Sequence, residues 1–171
     1  MRWQGHAESG NVEDRRGLRN TGIAVGGVAS VLILLAAAFF GVDPELLRNF
    51  VGEPGGAPVE QRKLTPEEER YRKFAATILK FTEDVWHEQF QKVEKRYIPP
   101  HLVLFSQRVE TGCGVAPSAV GPFYCPADKT IYLDPTFFEE LERKLGGSKA
   151  EFSQAYVIAH EVGHHVQHLL G

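Results

Sequence analysis

The sequence predicts an α+β domain preceded by one membrane-crossing helix. Three observations lead there. An uncharged run of 22 residues spans Thr21 to Val42. Capped, helically periodic segments stand on either side of a stretch of short β-branched and aromatic runs. The last helical segment carries two histidines four residues apart, with a glutamate between them. The 171 residues suffice for one domain and a tail. A composition of 43% hydrophobic and 24% charged residues excludes wholesale disorder and a multi-span membrane protein. A net charge of −3 provides no global basic field for nucleic acid.

Taken in order, residues 1–20 form a polar lead. The run at 21–42 would extend about 33 Å as a helix, enough to cross a hydrocarbon core of about 30 Å. Arg2, Arg15, Arg16 and Arg19 precede it and only Arg48 lies close behind. The positive-inside rule then puts the N-terminus in the cytoplasm and the remainder in the periplasm or outside the cell. A signal peptide cleaved near Ala36-Ala37-Ala38 and a buried core helix are the competing readings. Gly22, Gly26 and Ser30 have the small-xxx-small spacing of weak helix self-association. Residues 43–64, containing GEPGGAP, read as a flexible linker.

The domain proper is expected over 65–171. Thr65-Pro66-Glu67-Glu68 is a capping box with proline in the first turn. Tyr71, Phe74, Ala75, Ile78, Leu79, Val85, Trp86, Phe90 and Val93 follow on one helical face, and the helix must end before Pro99-Pro100. Strands are expected at His101–Phe105, Gly121–Tyr124 and Thr130–Leu133. Cys113 and Cys125 bracket that region and either pair across a hairpin or remain two thiols; an oxidising compartment would favour the disulfide. Asp134-Pro135 opens a further helix that Gly146-Gly147 stops, and Ser148-Lys149-Ala150-Glu151 caps the last one. The apolar set of that last helix is Phe152, Ala155, Tyr156, Ala159, Val162, Val166 and Leu169.

Within it, His160, Glu161 and His164 form H-E-x-x-H. Residues four apart lie one above the other on a helix, so both imidazoles can reach one Zn²⁺ at about 2.0–2.1 Å. Glu161 is turned about 100° from His160, poorly placed as a ligand but within reach of a water on the ion, whose proton it can take. Gly163 leaves space beside the metal, and Thr130–Leu133 is expected to offer an edge for a substrate peptide. His165 points about 100° away from His164, and His168 lies about 12 Å along the axis from His160; neither is a natural ligand of the same ion.

The chain resembles the bacterial neutral zinc metallopeptidases, membrane-anchored proteins of largely unassigned substrate. The resemblance rests on MRWQGHAESGNVEDRRG, the apolar run, TGCGVAPSAVGPFYCPADKTIYLD and AHEVGHHVQHLLG. It implies a zincin-like domain, a zinc cofactor held by His160 and His164, Glu161 as catalytic base, and a peptide or protein substrate. It also implies a longer protein in which a following helical portion supplies the third zinc ligand. The chain is therefore expected to be C-terminally truncated, and inactive if that ligand is missing. Two other readings stay open: a non-catalytic envelope protein that binds a partner, and a metal-buffering protein in which His165 and His168 matter as much as His160.

Overall fold

The computed structural model describes residues 1–17, 62–145 and 150–171. Gly17–Lys63 makes up one compact unit, and Met1–Arg16 with Leu64–Gly171 makes up the other. Its elements in chain order are β1 (Val12–Asp14), α1 (Pro66–Lys92), β2 (His101–Leu104), β3 (Arg108–Thr111), β4 (Gly114–Pro117), a short 3₁₀ turn (Ser118–Val120), β5 (Phe123–Cys125), β6 (Thr130–Leu133), α2 (Thr136–Leu145) and α3 (Glu151–Leu170).

Helix α1 starts where its capping box predicts. The Glu68 backbone N–H donates to Thr65 Oγ1 at 3.2 Å, and the Thr65 N–H donates to the Glu68 carboxylate at 2.8 Å. Phe74, Ala75, Ile78, Leu79 and Phe90 turn into the core, while Val85 and Val93, expected on the same face, are exposed. The buried Asp134 carboxylate opens α2 by accepting the Thr136 N–H and hydroxyl, and it also takes the Gln107 N–H from the loop after β2.

Four strands form one sheet in the order β1-β2-β6-β5. Strands β1, β2 and β6 run parallel, and β5 is antiparallel to β6. The two central strands are apolar almost throughout, as strands covered on both faces must be. Their alternating side chains divide between two cores. Leu102, Leu104, Ile131 and Leu133 pack with α1 and α3 on one face. Val103, Phe105 and Tyr132 pack on the other with Val109 and Cys125. The β3–β4 hairpin lies over this second core, and the Cys113–Cys125 disulfide ties the hairpin turn to β5. Of the two cysteine alternatives, pairing is the one realised.

Sequence patterning misses β1, because three residues, VED, show no apolar alternation to announce it. The N-terminal segment is nevertheless integral. Trp3 is buried edge-on to Phe74, with ring centroids 5.4 Å apart. Ser9 donates its N–H to the Ala76 carbonyl at 3.0 Å. The Ser9 hydroxyl and the Asn11 amide both donate to the buried Glu83 carboxylate, at 2.6 and 2.9 Å. Arg16 is buried on Asp14 and donates to the Glu68 carbonyl at 2.7 Å.

Two expectations are corrected here. No helix among the described residues is long and apolar enough to cross a membrane, so the transmembrane helix is not shown. Helix α1 has the length but carries charge along its course, and α3 bears four histidines and two glutamates. The segment 21–42 and its Gly22, Gly26 and Ser30 stripe lie outside the described residues. The single-pass arrangement, with a cytoplasmic N-terminus and a periplasmic domain, fails on the sheet itself. Glu13 pairs with Val103 in neighbouring strands, and backbone hydrogen bonds cannot be shared across a bilayer.

Removing the N-terminal anchor tests this packing. Trp3→Ala is expected to lower unfolding stability by roughly 3 kcal/mol, read by urea denaturation. A change within about 0.5 kcal/mol would mean that the first residues are not part of the core.

Candidate metal centre

The rotation of α3 about its axis is set by Ile158, Val162, His165 and Val166, all buried. The helical pattern predicts Val162 and Val166 there, but it also assigns Phe152, Tyr156 and Ala159 to the core. At about 100° per residue, Tyr156 is turned about 160° from Ile158 and Phe152 about 120°. Both are open to solvent, at 64% and 74% exposure, and Ala159 is exposed as well. Histidine at 165 occupies a place the pattern would give to an aliphatic side chain.

His160 and His164 consequently stand on the outer side of α3. Their Nε2 atoms are 3.1 Å apart and the rings are nearly perpendicular. Two imidazoles bound to one tetrahedral ion would hold their nitrogens about 3.3 Å apart, so the separation fits a shared cation. His164 Nδ1 lies 3.2 Å from the Gln167 amide oxygen, an acceptor, which places hydrogen on Nδ1 and leaves Nε2 bare for metal. Gln167 has no recognisable motif; only its i+3 position relative to His164 would have marked it. Gly163 has open space around it, as expected: an added Cβ there would meet nothing within 4 Å.

Glu161 is turned about 60° from Ile158, at the border between core and surface, and is 7% exposed. Burial pushes its carboxyl above the usual value; His164, His160 and the backbone N–H of Tyr124 pull the other way without cancelling it. Two shallow clefts meet at this carboxylate. One, of about 500 Å³, runs along Phe123, Tyr124 and Pro126 to His164 and His168. The other, of about 260 Å³, lies between Val120, Phe137, Tyr156 and His160. The strand beside the site is β5, at the end of the sheet. Thr130–Leu133, the expected edge, lies between β2 and β5 and is fully buried.

His165 and His168 are not ligands in this arrangement. His165 is 0% exposed, with Nε2 2.7 Å from the Ile98 carbonyl and Nδ1 2.9 Å from the Tyr124 hydroxyl. Burial drives its imidazole below the ordinary value, against the opposing pull of that carbonyl. His168 Nδ1 meets the same tyrosine hydroxyl at 2.8 Å. Among the described residues no group of three or more histidine, cysteine, aspartate or glutamate side chains could hold a metal. The site they form is thus two convergent imidazoles and one raised carboxyl.

The family model described as "Putative neutral zinc metallopeptidase" matches residues 1–171. The uncharacterized protein YpfJ of Escherichia coli (strain K12) is 44% identical over 181 aligned residues, covering all of this chain. The chain spans 62% of that relative's length. The uncharacterized protein Rv2575 of Mycobacterium tuberculosis (strain ATCC 25618 / H37Rv) is 59% identical over 75 residues, which is 44% of this chain and 26% of that protein. No solved structure matches.

The buried imidazole gives a stability test. His165 titrates lower folded than unfolded, so the unfolded chain binds more protons in the intervening window. Its contribution is intact above the unfolded value near 6.5 and declines as pH falls below it. The wild-type melting temperature should therefore drop more steeply below about pH 6.5 than that of His165→Gln. Parallel curves would remove His165 as the cause.

Proposed function

Because the chain belongs to the neutral zinc metallopeptidase family, we propose that it provides the zinc-binding helix and general base of a peptide-bond hydrolase. The observation that carries this reading is the 3.1 Å approach of two Nε2 atoms directly beside a buried carboxylate. His160 and His164 would hold the ion, and Gln167 keeps His164 in the tautomer that presents Nε2. Zinc in that position supplies Lewis acidity and makes an adjacent water more acidic.

The remaining tasks fall to protein groups. Glu161, bonded by the Tyr124 N–H and raised by burial, is suited to take a proton from water near neutral pH and return it to the leaving amine. Terminal strand β5 stands beside it, and an extended peptide adding to that strand would bring its carbonyl toward the two histidines. A catalytic zinc site uses three protein ligands. The third donor is proposed to come from outside the described residues, as the family resemblance implies.

Substitution separates these roles. His160→Ala and His164→Ala should abolish zinc uptake, read by metal analysis after dialysis. In protein that carries the third donor, Glu161→Gln should retain zinc while cleavage of fluorescent casein falls by about 10²–10⁴-fold. Since the folded carboxyl titrates above its unfolded value, its ionised form costs stability as pH rises through that window. Metal-free Glu161→Gln should therefore melt higher at pH 7 than the metal-free wild type, read by calorimetry. Undiminished casein cleavage by Glu161→Gln would overturn the reading.

A further inference from the structure

The protons in the His165–Tyr124–His168 chain can be assigned from its contacts. The Ile98 carbonyl can only accept, so His165 Nε2, 2.7 Å away, carries hydrogen. The ring is fully buried, bonded to that carbonyl and the Tyr124 hydroxyl and packed edge-on to the Tyr97 and Tyr124 rings, and the charges that reach it are those of His168 and Lys129. No carboxylate is among them, so a second proton would leave a buried charge without a counter-ion. His165 is therefore neutral, with a bare Nδ1. Tyr124 has one hydroxyl hydrogen, and it donates to that Nδ1 at 2.9 Å. His168 Nδ1, 2.8 Å from the same oxygen, then bonds to it only as a donor. In neutral His168 the proton is thus on Nδ1 and the Nε2 lone pair is free.

Relative to Ile158, Glu161 and His168 are turned about 60° and 80° to the same side, so one flank of α3 carries both. Both line the larger cleft with Tyr124 and His164. We propose that His168 is a substrate-binding residue of this cleft, held by Tyr124 and His165 in the Nδ1–H tautomer so that its bare Nε2 accepts a backbone N–H of the bound peptide. This rests on the peptidase reading above for the nature of the ligand, but not for the proton assignment. Backbone N–H groups are present in a peptide of almost any sequence. His168 accordingly contributes affinity rather than side-chain selectivity, and Tyr124 is a positioning residue that acts through it.

Nitrogen-15 NMR of the histidine side chains at mildly alkaline pH decides the tautomer. His168 should show a protonated Nδ1 and an unprotonated Nε2. Tyr124→Phe should shift the proton population toward Nε2 while the backbone amide spectrum is kept. With zinc-loaded protein that carries the third donor, and fluorescent casein as substrate, His168→Phe should weaken the reaction about five- to tenfold, mostly in KM, as loss of one hydrogen bond predicts. His168→Asn, which keeps an acceptor, should recover part of that loss. A protonated Nε2 in the wild type, a tautomer indifferent to Tyr124→Phe, or an unchanged KM would each overturn the proposal. If wild-type protein that carries the third donor leaves casein intact, the peptidase reading falls. Fluorescence anisotropy of casein binding to wild type and His168→Phe then decides the inference, with equal affinities overturning it.

Discussion

Everything at the candidate metal centre depends on how α3 is turned about its axis. Ile158, Val162 and Val166 enter the main core, and at about 100° per residue every other side chain of the helix then has its direction assigned. His160 and His164 face outward with their nitrogens convergent, and Glu161 is placed at the edge of the core, where burial raises its carboxyl. A turn of the helix by one residue would carry His164 into the core in one direction, or release Glu161 to solvent in the other. The aliphatic contacts that stabilise the fold are therefore also what orients the chemistry.

That rotation also brings a polar ring into the core, and the structure accommodates it by hydrogen bonding both nitrogens. His165 is satisfied by the Ile98 carbonyl and the Tyr124 hydroxyl, which connects the strand approach after α1, the buried face of α3 and strand β5. A buried histidine without such partners would cost far more than an aliphatic residue in its place. Strand β5 is held a second time by the Cys113–Cys125 disulfide, so the strand nearest Glu161 is fixed from both of its flanks. Pre-organisation of this kind suits a site whose groups must not move when a substrate is bound.

The N-terminal segment changes how the chain is understood as a whole. Charges around the apolar run predict an inside and an outside, with the first residues on one side and the folded domain on the other. In the fold, Val12–Asp14 is a parallel neighbour of β2, Trp3 fills the core against Phe74, and Glu83 receives Ser9 and Asn11. Parallel pairing through a long connection is a tertiary event. Three residues cannot signal it, so in the sequence alone the flank charges point to membrane orientation rather than to the Arg16–Asp14 pair they partly form.

By itself the sequence determined what local rules govern. The capping box at Thr65, the apolar central strands and the spacing of His160, Glu161 and His164 on one helix all follow from short-range geometry or composition. Tertiary structure decided which face of each element is covered. Phe152 and Tyr156 look like core residues by hydrophobicity but lie outside it, and His165 looks like a surface residue but lies within. It also decided that β5, not β6, ends the sheet beside the site. The physical reason is common to these cases: periodicity fixes the angles between side chains of one element, whereas the direction of the whole set depends on partners distant in sequence.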